Sequence, residues 1–176
     1  SCAAVREMKK EGLFTAMLTG DAPGAARAVA DETEIDEVHA QLLPENKLEA
    51  LKSIRKAHGA VMYVGDGIND APVLAGANVG AAMGSGADAA IEAADVVFMT
   101  SQVQAIPDSI RIAKSTGRVA VQNVVFALGV KMLVMLLGFA GFANMWMAVF
   151  ADTGVAMLCV LNSIRVLYAK KSLQKY

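Results

Sequence analysis

Charge is nearly missing from the last third of the chain. Between Val119 and Leu167 the charged residues are Lys131, Asp152 and Arg165, and the remainder is overwhelmingly apolar. Cysteine is scarce too: Cys2 and Cys159 lie in different halves of the 176 residues. That speaks against a disulfide framework and fits a reducing cytosol around the polar half. With 16 Lys and Arg against 17 Asp and Glu, the chain has no basic footprint for nucleic acid. The sequence opens on Ser1-Cys2-Ala3-Ala4, with neither an initiator methionine nor a cationic leader, and so reads as a fragment.

What is present falls into two parts. Up to about residue 101, short apolar runs alternate with amphipathic stretches. Strands are expected at Phe14–Leu18, Glu37–Ala40, Val61–Val64, Val79–Ala82 and Val96–Met99. Helices are expected at Cys2–Glu11, Ala22–Thr33, Pro44–His58, Ala71–Ala77 and Ala87–Ala94, with prolines tolerated in first turns and Gly12 and Gly59 as stops. This alternation predicts an α/β domain on a parallel sheet. Chemistry in such sheets sits at the carboxyl ends of strands, where two acidic turns fall. A stalk helix is expected over 102–118, followed by two apolar segments, Val119–Phe142 and Met145–Leu167. Each is long enough to span a hydrocarbon layer of about 30 Å. Only Ala143-Asn144 separates them, which predicts a tight antiparallel hairpin, with a basic tail over 169–176. Arg111, Lys114 and Arg118 precede the hairpin, while Arg165, Lys170, Lys171 and Lys175 end it. The positive-inside rule puts both ends, and the polar half, in the cytoplasm.

The two acidic turns are Thr19-Gly20-Asp21 and Gly65-Asp66-Gly67-Ile68-Asn69-Asp70, with Lys47 between them in sequence. Hydroxyl and backbone N–H groups can hold phosphate oxygens, a lysine can neutralise them, and carboxylates suit Mg²⁺. An isolated Asp-Gly is usually a plain turn. The full string through Ala71-Pro72 is far more specific. It resembles the haloacid dehalogenase-like phosphorylation domain of P-type ATPases. The resemblance runs through Met17-Leu18-Thr19-Gly20-Asp21, Leu43-Pro44-Glu45-Asn46-Lys47, Val64 to Pro72, Ala82-Met83-Gly84-Ser85-Gly86-Ala87-Asp88 and Glu92 to Val97. It implies that Thr19, with Gly20 and Asp21, contacts a phosphoryl group and that Lys47 stabilises its charge. It further implies that Asp66 ligates Mg²⁺, and that Asn69 and Asp70 position phosphate and metal. ATP is the implied phosphoryl donor. The family's phosphorylated aspartate belongs to an Asp-Lys-Thr-Gly-Thr string that this sequence does not contain, nor does it contain the nucleotide-binding domain that follows. The actuator domain and earlier transmembrane helices are then expected on the same polypeptide.

Intramembrane charge is costly, about 2.5–3.5 kcal/mol per group on insertion scales, and so marks function. Lys131 and Asp152 lie roughly 18 Å and 12 Å below the hairpin tip, bracketing the midplane. They are expected to face one another when no metal is bound, with Asp152 as a ligand of the transported ion and Lys131 as its counter-ion. Asn123, Lys131, Asp152-Thr153-Gly154 and Asn162-Ser163-Ile164-Arg165 resemble the zinc-, cadmium- and lead-exporting subgroup. Copper pumps carry a Tyr-Asn pair here, and the cobalt-type subgroup carries His-Glu-Gly. The subgroup's paired cysteines belong to an earlier helix. The resemblance points to an integral protein of a bacterial plasma membrane. Cys159 and the methionines Met132, Met135, Met145, Met147 and Met157 read as packing residues, and His39 and His58 as surface residues. A membrane-anchored phosphatase of the same superfamily and a non-enzymatic accessory chain are the alternatives.

Overall fold

The computed structural model describes residues 2–84, 87–142 and 144–173, with side chains described through residue 166. Ser85 and Gly86 of the glycine-containing loop, Ala143 of the hairpin turn and Lys175 of the tail lie outside the described residues. The chain divides into two compact units, Ser1–Pro107 and Asp108–Tyr176.

The first unit is α/β. Its elements run α1 (Cys2–Lys10), β1 (Ala16–Leu18), α2 (Pro23–Thr33), β2 (Glu37–His39), α3 (Pro44–His58), β3 (Met62–Gly65), α4 (Ala71–Gly76), β4 (Val79–Met83), α5 (Asp88–Ala93) and β5 (Val96–Phe98). Pro23 and Pro44 open α2 and α3, where a missing N–H is harmless. Gly59, at φ 95°, closes α3. A core cluster forms from Leu74, Ala82 and Ala90, with Tyr63, Ile91, Ala93 and Ala94 packed on it. Small residues on β4 let α4 lie directly on the strand: a Cβ at Gly80 would stand 2.5 Å from the Leu74 carbonyl oxygen.

All strand pairs are parallel, as expected, but they form two sheets instead of one. β1 pairs with β2 from Ala16 opposite Glu37 to Leu18 opposite His39. β4 lies between β3 and β5, with Val64 opposite Ala81 and Ala82 opposite Val97. β1 and β3 each keep one edge without a strand partner among the described residues. Inner parallel strands are buried on both faces. β4 has that cover at Gly80, Ala81 and Ala82, whereas β1 and β3 contain no buried residue.

The second unit is helical. α6 (Ala105–Phe139) joins the expected stalk and first apolar span into one helix of 35 residues, about 52 Å long. It ends three residues earlier than the sequence predicts. Gly141 takes φ 79°, and the Phe142 and Gly141 N–H groups cap the carbonyls of Leu137 and Gly138. Glycine tolerates that left-handed turn without a Cβ penalty. Asn144 then caps α7 (Met145–Val149), its side chain accepting from the Met147 N–H at 2.9 Å. The second apolar segment is not one regular helix. A π-helical turn at Phe150–Gly154 separates α7 from α8 (Val155–Leu173), with the Val155 N–H bonded to the Phe150 carbonyl. Both spans have the length and hydropathy to cross a membrane, at mean hydropathy 2.0 and 1.7. Val125, Leu128, Leu133 and Leu136 on α6 and Val160 and Leu161 on α8 stand exposed within the chain itself. So do Met132, Met135, Met145 and Met157, which the sequence reads as packing residues.

Candidate functional site

The turn after β3 is built around a buried carboxylate. A short 3₁₀ turn, Ile68–Asp70, folds Asp70 back beneath the strand end. Gly65 makes room, since a Cβ there would sit 2.9 Å from that of Asp70. Asp70 is only 7% exposed. Its Oδ1 accepts from Lys47 Nζ and from the Tyr63 hydroxyl, each at 2.8 Å. Its Oδ2 accepts from the Gly67 N–H at 3.3 Å. Burial works to raise the Asp70 pKa, but the bonds from Lys47 and Tyr63 and the charge of Lys47 outweigh it, and the carboxyl is held below its usual range. Burial first, and then the Asp70 carboxylate, push the Tyr63 hydroxyl up, so it remains a donor. Asp66 and Asn69 point outward and are exposed. The Asp66 carbonyl ties the turn to the start of α5 through the Ala87 N–H at 2.9 Å.

The turn after β1 is closed on itself. Thr19 Oγ1 donates to Asp21 Oδ2 at 2.7 Å and accepts from the Asp21 N–H at 3.1 Å. The Thr19 N–H bonds the His39 carbonyl at 2.9 Å, anchoring the turn to β2, while Gly20 and Asp21 are exposed. The structure thus joins Lys47 to Asp70 and Thr19 to Asp21. No hydrogen bond links the two pairs among the described residues. The exposed Asp66 oxygens suit a small hard cation, which commonly takes one or two carboxylates together with phosphate oxygens. No group of three acidic, histidine or cysteine side chains is assembled among the described residues, so phosphate or further protein oxygens must complete such a site.

In the helical unit, Lys131 Nζ lies 2.9 Å from Asp152 Oδ1. Asp152 stands within the π-helical turn. Further along α6 and α8 a second polar group joins the helices. Asn123 Nδ2 donates to the Cys159 carbonyl at 3.1 Å and to Ser163 Oγ at 2.9 Å, while Asn162 Nδ2 donates to Asn123 Oδ1 at 2.8 Å. The Cys159 thiol faces the Asn123 carbonyl at 3.6 Å. Of the histidines, His58 stacks on Phe14 with centroids 3.8 Å apart, and His39 pairs with Glu37.

A family model for haloacid dehalogenase-like hydrolases matches residues 1–78. The cadmium, zinc and cobalt-transporting ATPase of Bacillus subtilis is 50% identical over 172 residues, which cover 95% of this chain and 24% of that protein. The zinc-transporting ATPase of Synechocystis is 47% identical, over 93% of this chain and 23% of its own length. The crystal structure of a zinc-transporting PIB-type ATPase in the E2.Pi state superimposes with a TM-score of 0.89 at 38% identity, over 94% of this chain and 27% of that one. The chain belongs to the heavy-metal P-type ATPase family. It spans about a quarter of the length of the curated relatives it matches.

For a P-type ATPase the placement is coherent: a carboxylate-rich turn follows a parallel strand, and a membrane protein's two apolar helices carry the remaining charge. One residue of the Asp70 cluster, Tyr63, carries no signal in the sequence. It stands in a strand whose other residues are apolar, where an aromatic reads as core. Only the backward fold of the 3₁₀ turn brings Asp70 beneath its hydroxyl.

Proposed function

We propose that the intact polypeptide exports soft divalent metal ions, of the zinc, cadmium and lead class, at the expense of ATP through an aspartyl-phosphate. One observation carries this reading: a Lys47–Asp70 pair at an acidic turn and a Lys131–Asp152 pair between apolar helices occur in one chain, which is 50% identical over 172 residues to a named metal-transporting ATPase. Upstream segments of the same polypeptide would supply the phosphorylated aspartate, the nucleotide-binding and actuator domains and the thiolates of the metal site. Here Thr19, Gly20 and Asp21 would contact the phosphoryl group, with Lys47 neutralising its charge. Asp66 would hold Mg²⁺, with Asn69 and Asp70 orienting the phosphoryl oxygens. Bound Mg²⁺ supplies positive charge to the transferring group. Asp152 would offer a hard oxygen beside the thiolates, and Lys131 would neutralise it when the site is empty. The basic flanks Arg111, Lys114, Arg118 and Arg165 support a cytoplasmic first unit in a bacterial plasma membrane.

The test is ATP hydrolysis by the intact protein in liposomes, with zinc, cadmium, lead, cobalt and monovalent copper offered in turn. Zinc, cadmium or lead should stimulate turnover, and Asp152→Ala should abolish the stimulation. Lys131→Ala should still bind metal but release it more slowly, read by rapid-quench transport. Cobalt belongs in the panel because the Bacillus subtilis relative is named for it as well. Metal-independent hydrolysis, or a preference for copper, would overturn the reading.

A further inference from the structure

We propose that Tyr63 is a positioning residue of the phosphoryl-transfer site: its hydroxyl holds the Asp70 carboxylate in place when the Lys47 ammonium turns from Asp70 to a phosphoryl oxygen. The inference rests on the proposed function and deepens it. Lys47 and Tyr63 donate to the same oxygen, Asp70 Oδ1, each at 2.8 Å. One donor sits at the end of a long flexible stem on α3 and carries the charge. The other is neutral, fixed to β3, and its ring packs against the Leu74, Ala82 and Ala90 cluster. Its partner in register on β4 is Gly80, which has no side chain to crowd the ring.

The packing alone would be served as well by phenylalanine. A half-buried phenol is a cost unless its hydroxyl is bonded, and here the acceptor is Asp70. The pairing matters because of what the site must do. A lysine locked to a buried carboxylate cannot neutralise a phosphoryl group. Were Tyr63 not there, releasing it would leave Asp70, 7% exposed, with only the Gly67 N–H. Stripping a buried carboxylate of its donors is strongly unfavourable. Tyr63 lowers that cost, because one strong donor remains on Oδ1 throughout. It also keeps the carboxylate from rotating to follow the departing ammonium.

The experiment uses the intact protein as wild type, Tyr63→Phe, Tyr63→Met, Lys47→Met and the Tyr63→Phe/Lys47→Met double variant. Four quantities are read: the rate of phosphoenzyme formation from ATP with cadmium, the KM for ATP, the affinity for orthovanadate in the absence of ATP, and the melting temperature. Loss of one hydrogen bond to a charged group should slow phosphorylation and weaken vanadate binding by about tenfold, with the KM for ATP nearly unchanged. In the Lys47→Met background the same substitution should add less than about twofold, because no ammonium remains to be released. Tyr63→Met, which fills the space without donating, must behave like Tyr63→Phe. If the wild type phosphorylates and Tyr63→Phe matches it in rate and vanadate affinity, the inference falls alone. It falls equally if the only change is a lower melting temperature, or if the effect is undiminished without Lys47. A wild type that forms no phosphoenzyme overturns the functional reading and this inference together.

Discussion

At the scale of single residues, the chain uses buried or half-buried carboxylates as connectors. Asp70 gathers three donors from a helix, a strand and the turn that follows the strand, and Asp36 likewise joins three segments. Asp36 accepts from the Thr15 N–H at 2.9 Å and the Thr15 hydroxyl at 2.7 Å, and pairs with Lys9 at 2.6 Å. One carboxylate therefore fastens α1, the approach to β1 and the approach to β2. The Lys9 bond, helped by those from Thr15 and opposed by burial, lowers its pKa from 3.8 to about 2. A depressed carboxyl contributes stability that is fully present above its unfolded pKa and is lost as pH falls through the folded one. Asp36→Asn should therefore cost about 1–2 kcal/mol near neutrality, allowing for partial exposure. That cost should shrink as the pH falls through about 2 and be small below it, where the carboxyl is protonated in the folded state too. Urea unfolding across that range reads the difference, and an equal loss at both ends would contradict it.

At the scale of elements, the two apolar spans are held by two different polar devices. The Asn123 group is a clamp of neutral hydrogen bonds between α6 and α8. The Lys131–Asp152 pair is ionic and is presented by a π-helical turn. Single π-turns in otherwise α-helical segments frequently accompany functional positions. Gly154 permits this one: a Cβ there would meet the Phe150 ring at 2.8 Å. Asn123→Ala should destabilise the helix pair by about 1–2 kcal/mol in mixed micelles while leaving metal affinity nearly unchanged. Gly154→Val should do the reverse, weakening cadmium binding by about tenfold through a displaced Asp152, and Phe150→Ala should restore part of it. Equilibrium dialysis beside denaturation separates the two effects, and identical profiles for both variants would refute the division of labour.

The hairpin also shows why some features were legible in the sequence and others were not. Pro23, Pro44 and Gly59 act on their own turns, so helix ends could be read locally. The ion pair could be placed because two rare charges at matched depth leave few arrangements. The π-turn could not, since a hydrophobic pattern does not distinguish one i→i−5 turn from the i→i−4 turns around it. The Asn123 clamp joins residues 36 to 40 positions apart, and polar residues in an apolar helix do not announce their partners. Tyr63 is hidden for another reason: an aromatic in an apolar strand reads as core, although its partner is only seven residues away.

At the scale of the whole molecule, the divided sheet is the chief departure from expectation. Which strands pair is decided by contacts distant in sequence, and no local pattern reveals that β1 and β3 each keep an edge without a strand partner among the described residues. Those edges and the half-exposed faces of β1 and β3 leave their amides poorly protected. Hydrogen exchange of this chain should be slowest at Ala81 and Ala82 on β4, which are fully buried, and faster by about tenfold or more along β1 and β3. Exchange in the full-length protein should close that gap. Equal protection across all five strands of the isolated chain would argue that the edges are already covered.

The continuity of α6 has a mechanical consequence. A helix of 35 residues whose one proline, Pro107, lies in the first turn behaves as a stiff rod, and it is longer than a bilayer's hydrocarbon layer is thick. Its neighbour is jointed, because the π-turn interrupts it between α7 and α8. Strain applied to the pair must then be absorbed on the jointed side. The joint carries Asp152, so bending there would change the reach of the carboxylate that the rod's Lys131 opposes, coupling a flexural motion to the grip on an ion.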